Sequence, residues 1–457
     1  MALESENAEV LRRFLVGLAE GMVAAQDAAD RITETMRRIT RAYGLDDTDT
    51  FVLPTLIIVA TGGEDAAKIG IRATRTTTLR FDQIAALYEL LARAEEGAVD
   101  PRDGIERLNE IGAMHPRSRW PLRVLGHALL VAGLALLLAP TWQGVLIAFG
   151  LGAVLGLAKL IRSPTLQLVF PIVAAFASAL TVFLLAPYVE LGDPIRLMIA
   201  PLATFLPGGA LTTGTAELAA GQMISGSARL VTGLVQLGLL SFGIIAAGTV
   251  VGVSSSSYEP LVTTEPFPLW AAAIGLVCFA VGNFLHFAAP WRTFGWVFIG
   301  ILIAYAGQAV SSVLIGAPVS GFVGAVAMTP YVLWVASLRH GAPSQLTFLP
   351  AFWVLVPGAA GLVGLTEAIQ SPNGGLDEFA GALVSVMSIA LGVLIGTALY
   401  RWARHSAEEV ATFHIELPTF RTPEESPLWS RFLPGTPRSF WGRRADEDTP
   451  SSEGEPT

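Results

Sequence analysis

Two short runs in the sequence combine residues that break a helix with residues that bind or carry charge. Leu206-Pro207-Gly208-Gly209 is followed by Thr212, Thr213, Thr215 and Glu217, and Val356-Pro357-Gly358 is followed by Thr366 and Glu367. Each Glu lies ten residues after its proline, and the two Pro-Gly pairs stand 150 residues apart. Proline removes a backbone donor and clashes with the preceding turn, while glycine permits torsions that other residues avoid. A helix broken in this way exposes carbonyls and amides that can hold the carboxylate and amine of a small polar solute. A carboxylate beside such a break must be paired, hydrated or protonated when its surroundings are apolar, so Glu217 and Glu367 are candidates to carry a proton or to gate a path. At ~1.5 Å per residue each lies about 15 Å along the helix from its proline. A hydrated residue near a membrane interface is therefore an equal reading.

The elements that must position these residues are apolar helices. The 457 residues are 52% hydrophobic and 15% charged, with a mean hydropathy of +0.56, which is a membrane composition. Crossing a hydrocarbon core takes about 20 apolar residues in a helix. Ten segments qualify, near 122–139, 142–161, 165–188, 195–215, 227–252, 268–288, 291–309, 312–338, 346–368 and 378–400. Basic residues gather in alternate loops: Arg117, Arg119 and Arg123, then Lys159 and Arg162, Arg229, Arg292, Arg339, and Arg401 with Arg404. The remaining loops hold Arg196 against Glu190, Asp193, Glu259, Glu265, Asp377 and Glu378, an asymmetry that places both termini in the cytoplasm.

The Pro-Gly breaks fall in the fourth and ninth segments, which also carry Pro201 and Pro350. Equivalent positions in two sets of five predict a duplication, and an odd number of spans per copy inverts the second copy. Interrupted helices at matching positions of inverted repeats point to the substrate site of secondary transporters. A kink that only shapes packing is the alternative, since Gly and Pro are common in membrane helices. Asn283 and His286 share a helix face at i, i+3 and join the candidates for substrate binding or gating. Interhelical hydrogen bonding is the plainer use of these two and of Gln167, Gln236 and Gln308. Gly152-x-x-x-Gly156 and Gly392-x-x-x-Gly396 permit close helix contact and are given a packing role.

The ends differ. Residues 1–118 have ordinary soluble charge density and predict a small α+β domain. An amphipathic helix is expected over 5–43, strands over 51–60 and 69–77, and helices over 81–95 and 101–111. Asp27, Asp30 and Asp65 read as solvated surface. The first twenty residues lack the basic start and continuous apolar stretch of a signal peptide. Residues 403–457 form a polar tail whose composition predicts disorder. A net charge of −9 gives no reason to expect a nucleic-acid partner. Cys278 is alone, so no disulfide framework or Cys/His metal set is expected. The sequence holds no G-x-S-x-G, H-E-x-x-H or Walker motif, which argues against hydrolysis or ATP-driven transport by this chain.

The order of Gly21-x5-Ala28-x-Asp30-Arg31, a strand near 51–60, Thr76-Thr77-Thr78, Leu206-Pro207-Gly208 and Val356-Pro357-Gly358 resembles the threonine/serine exporter (ThrE) family, over about residues 12–400. The resemblance implies export of small hydroxy amino acids driven by the proton gradient, with a cytoplasmic domain fused to the transporter. Similar families are associated with dicarboxylates such as succinate, and the residues alone do not separate the two substrates.

Together these readings predict a mainly α, polytopic inner-membrane protein of about ten transmembrane helices in two inverted five-helix repeats, with a small cytoplasmic α+β domain. The expected divisions are 1–118, 119–252, 268–402 and 403–457. The expected activity is proton-coupled export rather than catalysis, without cofactor or metal, on a small polar substrate in a lipid environment. Small-residue faces are compatible with a homo-oligomer. A dicarboxylate exporter and a membrane-anchored sensor or enzyme are the rival readings.

Overall fold

A computed structural model describes residues 2–45, 48–61, 68–74, 78–138, 141–161, 164–189, 191, 194–253, 269–355, 362, 366 and 376–412. Residues 1–403 form one compact unit. It opens with α1 (Ala2–Ala24) and α2 (Ala29–Ala42), where one continuous helix was expected. The first helix ends in a Schellman arrangement: the Gln26 amide donates to the Val23 carbonyl (3.0 Å), and the Asp27 amide to that of Met22 (3.1 Å). This requires a left-handed residue, and Gln26 takes it with φ of 66°. Amphipathic periodicity runs through the turn unchanged, which is why the sequence pattern hides it. Leu11, Phe14, Leu15, Leu18 and Met22 of α1 and Ile32, Met36 and Ile39 of α2 are buried at helical spacing.

Three strands follow, β1 (Thr48–Leu53), β2 (Leu56–Thr61) and β3 (Lys68–Ala73), paired antiparallel in the order β1-β2-β3. The single strand expected over 51–60 is thus a hairpin that turns at Pro54-Thr55. Val52, Ile57 and Val59 face the helices. Helix α3 (Phe81–Glu95) begins with a side-chain cap, the Gln83 Oε1 accepting from the Arg80 amide at 3.1 Å. In α4 (Pro101–Ala113), Asp100 caps the first turn and Pro101 occupies its first position.

The apolar part comprises α5 (Trp120–Leu138), α6 (Trp142–Ala158), α7 (Pro164–Leu185), α8 (Pro194–Leu202), α9 (Gly208–Ala219), α10 (Met223–Val251), α11 (Leu269–His286), α12 (Phe294–Ile315), α13 (Ala317–Ser337), α14 (Ser344–Val354) and α15 (Leu376–Thr412). Among the described residues six helices are long and apolar enough to cross a membrane, or seven if α8 and α9 count as one bent span. The protein is therefore a multi-pass membrane protein whose outer faces carry exposed Trp142, Leu234, Val250 and Leu269. The boundary between the seventh and eighth expected segments moves: α12 continues to Ile315 and the break comes at Gly316, whose φ of +95° no residue with a Cβ adopts easily.

Glycines set the closest helix contacts. On α5 and α11, Gly126 packs against Gly282 and Gly133 against Gly275, so the two helices run antiparallel. A Cβ on Gly126 would lie 2.5 Å from the His286 amide nitrogen, and one on Gly133 would lie 2.5 Å from that of Phe279. A second pair of contacts recurs along the chain. Gly243 of α10 meets the Ile172 carbonyl and Ala175 of α7, while Gly392 of α15 meets the Phe322 carbonyl and Ala325 of α13.

Candidate functional site

The break in the fourth apolar segment is real. Helix α8, with Pro201 inside it, passes into a short 3-10 turn at Ala203–Phe205, and α9 departs from Gly208 at 68° to the first half. Pro207 has no amide to donate and stands as the N-cap of α9. The carbonyls thus released need partners in an apolar setting. Phe205 O accepts from Gln236 Nε2 of α10 at 2.6 Å. In the second half Leu355 O, just before Val356-Pro357, accepts from Gln308 Nε2 of α12 at 3.4 Å. Gly208 and Thr212 are buried, and the Thr212 Oγ1 has no hydrogen-bond partner among the described residues. Gly209 and Thr213 are partly buried on the same half-helix. Pro357, Gly358 and Glu367 lie outside the described residues; Thr366 is described, and its hydroxyl donates to Ser241 Oγ at 3.3 Å.

Beside the break is a polar cluster assembled from four elements. The His127 ring of α5 has Nδ1 at 2.7 Å from the Gly152 carbonyl and Nε2 at 3.1 Å from Thr204 Oγ1. A carbonyl can only accept, so Nδ1 carries the proton and Nε2 of the neutral ring receives the Thr204 hydroxyl. The same Thr204 oxygen accepts from Lys159 Nζ, which lies 4.2 Å from the centre of the Phe205 ring. His286, at the end of α11, stacks obliquely on His127 with centroids 4.7 Å apart, and its Nδ1 lies 3.0 Å from Arg123 O. Among the described residues Lys159 has no carboxylate partner. The sequence had placed this lysine in a loop as an orientation marker; the structure folds its side chain back onto the broken helix. Asn283 is fully buried one turn before His286, with its amide donating to Phe279 O and its Oδ1 without a partner among the described residues.

Glu217 belongs to a different group. It is 1% exposed, and its Oε1 accepts from the Ala29 amide at 2.9 Å, which ties α9 to the start of α2. Its other oxygen lies 3.1 Å from Arg229 Nε, a charge contact without good hydrogen-bond alignment. Arg229 also donates to Asp27 O at 3.0 Å. Asp27, expected as solvated surface, is 0% exposed; Asp30 is exposed as expected, and Asp65 lies outside the described residues. The Asp27 carboxylate accepts from Tyr88 O–H at 2.7 and 2.8 Å and from Gln345 Nε2 of α14 at 2.6 Å, with Arg31 Nε at 3.6 Å. Arg31 in turn donates to Ser344 Oγ. Burial is the largest influence on the Asp27 carboxyl and lifts its pKa above the ordinary 3.8, against Arg31, the two side-chain donors and Arg229. Burial likewise raises Tyr88 well above 10, so its proton is retained and the hydroxyl donates.

The turn between α1 and α2 therefore docks on both parts of the helical body. Gln26 reaches Gly209: a Cβ there would lie 3.5 Å from Gln26 Oε1. Phe81 stacks on Phe287 with centroids 5.0 Å apart, the Phe81 amide donates to Phe287 O at 3.1 Å, and Ser225 donates to Val52 O at 3.0 Å. Sequence reasoning named Glu217, His286 and Asn283 but missed His127, Lys159, Thr204, Tyr88 and Gln345. A trace was present in the Asp27/Arg31 spacing of i, i+4.

Residues 13–251 match the model of a family described as "Putative threonine/serine exporter" (ThrE). The chain is similar to a Mycobacterium tuberculosis protein named "Probable threonine/serine exporter", with 28% identity over 432 residues that cover 88% of this chain and 79% of the relative. It is also similar to the "Threonine/serine exporter" of Corynebacterium glutamicum, with 22% identity over 396 residues, 81% of this chain and 78% of the relative. No solved structure matches.

Proposed function

The chain belongs to the threonine/serine exporter (ThrE) family, and we propose on that premise that it exports threonine and serine across the inner membrane as a proton-coupled carrier. The observation that carries the reading is the 68° break between α8 and α9, with polar groups from α5, α6, α10 and α11 gathered around it. A passive anchor for the N-terminal domain has no use for such a break, whereas a carrier needs backbone and side-chain groups that can trade one polar ligand for another. The protein is a carrier rather than an enzyme, with both termini cytoplasmic, and the proton gradient supplies the drive in place of any cofactor. Pro207, Gly208, Gly209 and Thr212 shape the substrate path, with Pro357 and Gly358 as their counterparts. Glu217 and Glu367 carry or gate the proton.

The same reading holds ten spans in two inverted halves. Three observations support it: the antiparallel contact of α5 with α11 through Gly126, Gly133, Gly275 and Gly282; the recurrence of the α7–α10 glycine contact in α13–α15; and Phe205 O and Leu355 O, each two residues before a Pro-Gly pair, accepting from glutamine side chains. An in-plane pseudo-two-fold axis brings equivalent helices together antiparallel, as α5 and α11 are.

Counterflow tests the carrier. Vesicles holding the protein and preloaded with unlabelled threonine are expected to take up labelled threonine faster than empty ones. Equal rates would indicate a channel, and no uptake of threonine, serine or succinate would leave the helices as an anchor.

A further inference from the structure

We propose that Lys159 is the seat for the carboxylate of the transported amino acid, and that His286 and Asn283 supply acceptors for its N–H and O–H groups. The inference rests on the exporter reading and names the residues that hold the substrate. A zwitterion drawn into an apolar protein loses the water that solvates both charges, and each charge needs a partner in exchange. Lysine is a compact charge with three donors. In this structure one donor goes to Thr204 Oγ1 and the ammonium faces the Phe205 ring, while no carboxylate among the described residues meets it.

The hydrogen-bond order fixes what each neighbour can offer. Gly152 O accepts from His127 Nδ1–H, His127 Nε2 accepts from the Thr204 hydroxyl, and Thr204 Oγ1 accepts from Lys159. His127 and Thr204 are thereby occupied in aiming the ammonium at the break. They are positioning residues. His286 differs: its Nδ1–H is spent on Arg123 O, and its Nε2 lone pair has no partner among the described residues. One turn away on the same face, the buried Asn283 Oδ1 also has no partner among the described residues. His286 stacks on His127 with ring centroids 4.7 Å apart, and His127 shares the Thr204 hydroxyl with Lys159, so the His286 ring belongs to the cluster that holds the ammonium. A cation on one side and two bare acceptors on the other match an amino acid's carboxylate with its ammonium or hydroxyl. A dicarboxylate would leave its second carboxylate facing acceptors.

Ligand-dependent thermal unfolding of the purified full chain tests this directly, with serine and serinamide as probes. Serine is expected to raise the unfolding temperature and serinamide, which lacks the carboxylate, to leave it unchanged. Lys159→Gln is expected to lose the serine effect and to raise the transport KM for serine by at least about tenfold, with Lys159→Arg keeping part of both. Stabilisation of the Lys159→Gln protein by serine as in wild type, equal stabilisation by serinamide, or no carboxylate effect at all would overturn the proposal. A Lys159-dependent serine effect without vesicle transport would leave the seat intact and defeat the exporter reading. Transport by Lys159→Gln at unchanged KM would do the reverse.

Discussion

Glu217 Oε1 accepts a hydrogen bond from the Ala29 amide at 2.9 Å, across 188 residues of sequence, and this bond joins the second half of the broken helix to the N-terminal domain. The carboxylate is buried against Arg229, so removing either partner strands a charge. Glu217→Ala and Arg229→Met are each expected to destabilise the protein by about 3 kcal/mol, and the double variant by less than the sum. A chemical-denaturation cycle measures the difference. Glu217→Gln keeps an acceptor for the Ala29 amide. It is expected to fold and to lose the proton dependence of transport; an unchanged pH profile would rule Glu217 out as the coupling group.

Asp27 should make docking of the N-terminal domain depend on pH. Its carboxyl is raised above 3.8 in the docked state, so docking is fully favoured below the ordinary carboxylate pKa and weakens as pH rises through the raised value. Arg31, Arg229 and Tyr88 face it and Glu217 lies beyond Arg229, which keeps part of the docking free energy in place when the carboxylate is charged. Hydrogen exchange at the α1–α2 turn is expected to be slower at low pH than at high pH after correction for intrinsic rates. Asp27→Asn, neutral throughout, should flatten the difference.

The expected elements were legible where local chemistry decides them. Helix α3 lies at Phe81–Glu95 as predicted, because Gln83 caps it and an apolar face runs its length. The α1–α2 turn was not legible, because a left-handed Gln26 leaves no glycine to mark it. Asp27 was misread and the cluster role of Lys159 missed for a common reason: a charged residue at the end of a helix resembles a solvated one until its partners, Gln345 of α14 and Thr204 of the break, arrive from distant sequence. The Pro-Gly signal at 207–208 succeeded because proline and glycine act on their own backbone.

Close packing of α5 on α11 should tolerate no side chain at its glycines. Gly133→Val is expected to destabilise by roughly 3 kcal/mol or to prevent folding, since its Cβ meets backbone atoms at 2.5 Å. Gly150→Ala, with open space around it, should be neutral or slightly stabilising in the same thermal unfolding measurement.

Gln236→Leu removes the donor that satisfies Phe205 O at the break. A loss of about 1–3 kcal/mol is expected from the stranded carbonyl, together with slower transport. Wild-type rates in a destabilised protein would show that this hydrogen bond serves folding alone.

Uptake of labelled threonine into inside-out vesicles, with and without an imposed proton gradient and with serine or succinate as competitor, tests the exporter reading most directly. Gradient-dependent uptake that serine blocks and succinate does not is the expected result. Uptake that ignores the gradient, or that succinate alone suppresses, would contradict proton-coupled export of hydroxy amino acids.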